Sequence, residues 1–193
     1  YSNLYFREPE SRADQTRMMS IVTTGAETGY YVDVFRSRKE KGGDKMHDYF
    51  YHNLGQTLTL TAADGSDLNL QPTEELAFAG AHLYAYSYLY DKKVAATNKD
   101  VKATFTIDMK DKDGDDIYMN LWMKGELDRE VFTALAPMTE GLSRTPNMPY
   151  NIKEQPTLTF VARQHGEAWN RPFVSIYEPS TKKEKFISDT PNT

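Results

Sequence analysis

The segment Gly29–Gly55 constrains the fold of this chain more than any other part of it. If Tyr30–Arg38 is extended, its side chains fall alternately on two faces, one with Tyr31, Asp33 and Phe35 and the other with Tyr30, Val32 and Val34. A second run, rich in aromatic residues, follows over Met46–Leu54. Alternation of this kind is typical of half-buried β-strands, because successive side chains of a strand point to opposite faces. The polar stretch between the two runs contains Gly42–Gly43, which predicts a hairpin turn.

Strand signals of this kind recur along most of the chain. They cover Arg17–Thr24, Tyr30–Arg38, Met46–Leu54, Thr57–Ala62, Ala81–Tyr90, Val101–Met109, Asp115–Met123, Val131–Ala136, Thr157–Gln164 and Phe173–Glu178. Clusters of Gly, Pro, Asn and Asp separate these segments. We therefore expect an all-β fold, an antiparallel β-sandwich of roughly ten or more strands, jelly-roll or super-sandwich-like, with little or no helix.

A length of 193 residues fits one domain. We expect an irregular N-terminal lead-in over residues 1–15, a single β-sandwich domain over 16–187 and a frayed tail over 188–193. Three prolines within residues 140–156 predict a long surface loop there.

The composition excludes several classes of function. A net charge of −5 argues against a nucleic-acid partner, because there is no basic excess to replace the counterions of a phosphate backbone. The chain has no cysteine, which excludes disulfide bonds and thiolate metal sites. No apolar run is long enough to predict a membrane span.

The acidic segment Asp108–Asp116 resembles half of a calcium-binding loop. Such a loop needs a bidentate glutamate at its last position, and counting from Asp111 places Trp122 there. The segment also lies between two strand patterns rather than two helices. A hairpin turn with Gly114 at its tight position explains it better, and we expect no metal ion.

Two histidines flank the aromatic strand without forming a metal pair. An odd separation puts His47 and His52 on opposite faces of a regular strand. Asp48 does share a face with His52, but the two lie roughly 13 Å apart along the strand. We expect both histidines to make structural hydrogen bonds.

The segment Ala81–Tyr90 carries the strongest candidate for a ligand-binding surface. If it is a strand, one face is aromatic and consists of His82, Tyr84, Tyr86, Tyr88 and Tyr90. That face is either a platform on which sugar rings stack or a surface that packs on a second sheet or a neighbouring domain. A histidine beside a tyrosine also suits proton transfer in β-elimination, but the sequence shows no nearby group that would neutralise a sugar carboxylate.

The motifs YYVDVFR and GGDKMHDYFYHNLG resemble the start of the C-terminal β-sandwich of heparinase II/III-type polysaccharide lyases. Later strands of that domain are similar, in order, to Leu83–Tyr90, Ile117–Pro137 and Pro156–Pro179. The residues that carry the resemblance as family markers are Asp33, Arg36, His47, Asp48, Tyr49, His52, Arg163 and Glu178.

The resemblance implies a noncatalytic domain that braces the catalytic domains and contributes to a glycan cleft. In that family the catalytic residues and the zinc site lie upstream, so we expect no catalytic residue, no cofactor and no metal in this chain. The implied partners are upstream catalytic domains of the same polypeptide and an anionic polysaccharide, in the periplasm, at the cell surface or outside the cell. Two alternatives remain, a carbohydrate-binding module that uses the tyrosine face and a structural domain for protein–protein packing.

Overall fold

The computed structural model describes residues 1–78, 80–109, 114–139, 141, 144, 152 and 154–181, except the side chains of residues 81 and 82. These residues form twelve strands and one 3₁₀ helix, Ala81–Tyr88. The strands are β1 Ser2–Arg7, β2 Asp14–Thr23, β3 Gly29–Arg38, β4 Met46–Asn53, β5 Thr57–Ala62, β6 Gln71–Pro72, β7 Tyr90–Ala96, β8 Val101–Ile107, β9 Ile117–Met123, β10 Arg129–Ala136, β11 Thr157–His165 and β12 Ala168–Ser180.

The strands pair into two antiparallel sheets. One sheet has seven strands in the order β1-β2-β3-β12-β9-β8-β5, and the other has five in the order β4-β11-β10-β7-β6. The predicted all-β, antiparallel sandwich with little helix is therefore confirmed.

The core lies between the sheets, where alternation turns every second side chain inward. Its largest fully buried side chains come from both sheets and include Phe105, Leu121, Phe160 and Phe173. Burying one such side chain contributes about 1.5–3 kcal/mol, so this apolar layer is the main source of stability.

The predicted hairpin between β3 and β4 is wrong, because the two strands belong to different sheets. Strand β3 pairs with β2 and β12, whereas β4 pairs with β11. Gly42 and Gly43, both at positive φ, instead turn the chain from one sheet to the other. A glycine-rich gap shows that the chain turns, but it does not show which strand will be the partner.

The predicted strand Ala81–Tyr90 is also wrong, because Ala81–Tyr88 is a 3₁₀ helix and β7 starts at Tyr90. Three residues per turn place Leu83, Tyr86 and Leu89 on one side. That side packs on the five-stranded sheet. Leu89 is buried there, and Tyr86 packs against a hydrophobic cluster that is separate from the core between the sheets. The sequence contains both patterns, because apolar residues recur every third position and tyrosines recur every second position. The prediction followed the tyrosines.

Residues 1–15, predicted as an irregular lead-in, include strand β1 and the start of β2. The two strands pair in antiparallel fashion, with Ser2 opposite Met19 at one end and Arg7 opposite Asp14 at the other. The prediction failed because β1 buries no side chain and therefore lacks a clear apolar pattern. Most of the predicted loop 140–156 and the whole tail 188–193 lie outside the described residues. No helix in the described part of the chain is long and apolar enough to cross a membrane.

The first prediction concerns Gly125, in the loop between β9 and β10. A Cβ atom there would lie 2.2 Å from the Asn98 carbonyl oxygen and 2.4 Å from the Lys99 carbonyl carbon. Both are backbone atoms, so relieving the clash requires the backbone to move. We expect Gly125→Ala to lower the free energy of unfolding by about 1–3 kcal/mol, measured by urea denaturation.

Gly80→Ala is the matched control, because nothing lies within 4 Å of its added Cβ. An unfolding midpoint for Gly125→Ala equal to that of the control would show that the loop packs differently.

Candidate functional site

Asp33 lies at the centre of a buried polar cluster that joins the two sheets. Its carboxylate is fully buried and accepts hydrogen bonds from the Tyr49 hydroxyl at 2.6 Å and from Arg17 Nη2 at 2.6 Å. The Tyr49 hydroxyl also hydrogen bonds to the hydroxyl of Tyr177. Because β3, β2 and β12 belong to one sheet and β4 to the other, this cluster fixes their relative position.

The electrostatics of this cluster follow from burial. Burial raises the pKa of Tyr49 and of Tyr177, and the neighbouring Asp33 carboxylate adds to both shifts. The hydrogen-bonded Asp33 carboxylate raises the pKa of the Arg17 guanidinium. The two phenols are therefore neutral and closed to solvent, which suits a structural role.

Sequence reasoning marked Asp33 and Tyr49 but missed Arg17 and Tyr177. The available signal was Asp33 itself, an acidic residue among apolar neighbours in a strand, which requires a buried partner.

A second cluster fixes the 3₁₀ helix to the five-stranded sheet. Arg163 donates two hydrogen bonds to Asp48, each of 2.8 Å, and the Tyr86 hydroxyl donates a third of 2.8 Å. Glu75 accepts from Arg163 Nη1 at 3.2 Å, and the ring of Phe78 lies 5.7 Å from the guanidinium carbon. Burial raises the pKa of Tyr86.

The two marker histidines point to opposite faces, as strand parity predicted. His47 hydrogen bonds through Nε2 to Asp44 at 2.6 Å. His52 hydrogen bonds through Nδ1 to the Thr159 hydroxyl at 2.8 Å and stacks on Phe50 at 5.8 Å between ring centroids. Burial lowers the pKa of His52, which favours the neutral imidazole.

The two remaining markers lie on the seven-stranded sheet. Arg36 donates from Nη1 to the backbone carbonyl of Trp169. Glu178 is half-buried on β12, where it pairs across the strands with Asn120 of β9.

Because Ala81–Tyr88 is a 3₁₀ helix, the tyrosines of the predicted face do not share one surface. Tyr86 turns inward, onto Phe50 and Asp48. Tyr84 and Tyr88 are half-exposed and meet edge to face, with ring centroids 5.6 Å apart. Tyr90 is half-exposed on β7. The side chain of His82 lies outside the described part of the chain.

The acidic segment 108–116 joins two paired strands. Strands β8 and β9 pair to Ile107 and Ile117, and Asp116 accepts a hydrogen bond from the Met109 amide at 3.0 Å. Residues 110–113 lie outside the described residues. Within the described residues, His, Asp and Glu form no group of three or more that could hold a metal ion.

One apolar surface remains uncovered, and we call it the apolar overhang. Strand β4 ends the five-stranded sheet opposite β3, so β1 and β2 extend beyond it. The overhang is an inner-facing set of large apolar side chains, each 40% to 67% exposed: Leu4, Phe6, Met19, Ile21 and Tyr31. It continues the core face, because Ile21 pairs with Tyr31 and Tyr31 pairs with the buried Tyr177.

The second prediction concerns the Asp48 cluster. Asp48→Ala leaves the Arg163 guanidinium, 3% exposed, without its main counter-charge. We expect it to lower the free energy of unfolding by about 3–5 kcal/mol in urea denaturation.

Tyr86→Phe is the matched control, because it removes one hydrogen bond and keeps the ring, at a cost of about 1 kcal/mol. Equal losses for the two variants would mean that the ion pair does not hold this part of the fold together.

Comparison with known proteins supplies one relative. No family model matches the chain. Over 191 residues, 97% of this chain, the sequence is 33% identical to an endo-acting ulvan lyase of Formosa agariphila, a polysaccharide lyase. The matched region is 22% of that enzyme, so the chain spans about a fifth of the length of the relative. The chain is therefore homologous to one segment of a polysaccharide lyase.

Proposed function

We propose that this chain is a noncatalytic, C-terminal β-sandwich of a heparinase II/III-like polysaccharide lyase and braces the catalytic part of the same polypeptide. The similarity to an ulvan lyase over 22% of that enzyme supports an accessory segment within a larger protein. Because polysaccharides are too large to cross a membrane unaided, the proposal implies a periplasmic, cell-surface or secreted protein.

The observation that carries the proposal is the apolar overhang. Contiguous exposed apolar patches on a soluble domain mark interaction sites far more often than isolated exposed residues do. The overhang is continuous with the core face of the same sheet, so a partner that packs there extends the existing core.

The marker residues support a structural rather than a catalytic role. Tyr49 is 3% exposed, and Asp33 is fully buried, so neither can touch a polysaccharide in this conformation. Asp48 and Arg163 neutralise each other within the fold. In this proposal the marker residues therefore maintain the architecture of the domain and take no part in proton transfer.

The third prediction tests the overhang directly. The catalytic part of the intact polypeptide, produced separately, is expected to bind this chain in sedimentation velocity. The double variant Leu4→Asp, Ile21→Asp is expected to weaken that association at least about tenfold, because it buries two carboxylates in an apolar interface.

The matched control is Leu127→Asp, Met138→Asp, which changes two side chains of similar exposure outside the overhang. Association that is absent, or that both double variants weaken equally, would contradict the proposal.

A second candidate function is carbohydrate binding through Tyr84, Tyr88 and Tyr90. The specific observation that favours it is the half-exposed, edge-to-face pair of Tyr84 and Tyr88. Exposed aromatic rings suit the apolar C–H faces of sugars, and the tyrosine hydroxyls can bond to sugar hydroxyls.

The fourth prediction follows from this candidate. In affinity electrophoresis through gels that contain ulvan, the chain is expected to be retarded. The double variant Tyr84→Ala, Tyr88→Ala is expected to lose most of that retardation, because stacking on an aromatic ring is worth about 0.5–1.5 kcal/mol per contact. Tyr31→Ala, an exposed tyrosine of the overhang, is the control, and equal mobility of all three proteins would exclude the tyrosine pair.

A further inference from the structure

A cleft of about 470 Å³ opens at the edge of the sandwich where β4 begins, and we call it the edge cleft. The β1–β2 turn, the end of β3, the β3–β4 connection and the 3₁₀ helix line it. Its apolar wall consists of Phe35, Met46, Phe78 and Leu83. The volume lies in the range of ordinary small-ligand sites, about 300–1,000 Å³.

The carboxylates that line the edge cleft are already engaged by protein donors. Asp44 accepts from His47 and from the Lys39 amide. Asp48 is held by Arg163 and Tyr86. Glu8 accepts from the backbone amides of residues 10 and 11. The negative charge of the cleft is therefore neutralised or hydrogen-bonded within the fold.

The uncommitted groups of the edge cleft include a hydroxyl and two cations. Ser37 is 1% exposed, and its buried hydroxyl has no hydrogen-bond partner among the described residues. Lys39 and Lys45 also line the cleft, and neither ammonium group pairs with a carboxylate within 4.0 Å in the described part of the chain. A buried polar group without a partner is costly, and a ligand that pairs with it recovers this cost.

We propose that the edge cleft binds one acidic sugar residue of a polysaccharide. The lysine ammonium groups pair with its carboxylate or sulfate ester, and the Ser37 hydroxyl bonds to a ring hydroxyl. The apolar face of the sugar ring packs on the wall formed by Phe78 and Leu83. The assignment to a saccharide rests on the proposed function, whereas the preference for an anion follows from the uncommitted donors themselves.

The experiment uses the whole chain and three tetrasaccharides of equal length. One contains glucuronate (a hyaluronan tetramer), one carries sulfate esters (a carrageenan tetramer) and one is neutral (cellotetraose). Isothermal titration is expected to show binding of at least one acidic probe and at least tenfold weaker binding of cellotetraose. Affinity for the acidic probe should fall as salt is raised from 0.05 to 0.5 M, because salt screens an exposed ion pair; these concentrations span Debye lengths of roughly 14 to 4 Å.

The fifth prediction assigns the affinity to named side chains. The double variant Lys39→Met, Lys45→Met is expected to bind the acidic probe about tenfold more weakly or worse, and Ser37→Ala severalfold more weakly. The matched control Lys92→Met, Lys93→Met also replaces one half-exposed and one exposed lysine, on strand β7 away from the cleft. It is expected to bind as tightly as the parent chain.

The proposal would be overturned by no binding of either acidic probe, by equal affinity for cellotetraose, or by equal losses in the cleft and control variants. Because a cleft variant can fail through misfolding, amide chemical shifts of the parent chain provide a second measurement, and the acidic probe must perturb residues 37–47. Perturbation confined to residues 84–90 would assign binding to the tyrosine pair and would also overturn it. None of these failures affects the association test of the apolar overhang, so the two proposals fail separately.

Discussion

The arrangement of the two sheets depends on the hydrogen bonds that the buried carboxylate of Asp33 accepts. A buried charge without partners costs several kcal/mol, so the fold must supply donors wherever Asp33 lies. It supplies Arg17 from the neighbouring strand and Tyr49 from the opposite sheet. Apolar packing alone tolerates small shifts between sheets, whereas these directed hydrogen bonds define one position of β4 beneath β3.

That position also determines which surfaces stay open. Because β4 is held beneath β3 as an edge strand, the five-stranded sheet meets β2 at Arg17, whose guanidinium carbon lies 5.7 Å from the centre of the Tyr49 ring. The inner-facing apolar side chains of β1 and β2 remain exposed. The same edge leaves the cleft open between the β3–β4 connection and the 3₁₀ helix. The proposed brace and the proposed sugar site thus follow from one structural constraint.

Strand alternation predicted most of the fold, including β5 to the residue and β11 to within one residue. It failed where partners are distant in sequence. The β3–β4 hairpin was wrong because sheet membership depends on β11 and β12, more than 100 residues away. The bidentate pair of Asp48 and Arg163, 115 residues apart, could not be found from local pattern either. The tyrosine strand failed because alternation obscured the period of three formed by Leu83, Tyr86 and Leu89.

The central claim is that the sandwich braces a larger polypeptide through its uncovered inner face. Amide hydrogen exchange measured by mass spectrometry tests this most directly, by comparing the isolated chain with the intact polypeptide. Our account predicts that β1 and β2 exchange faster in the isolated chain than in the intact protein, with β10 and β11 unchanged. Equal exchange of β1 and β2 in both forms would contradict it.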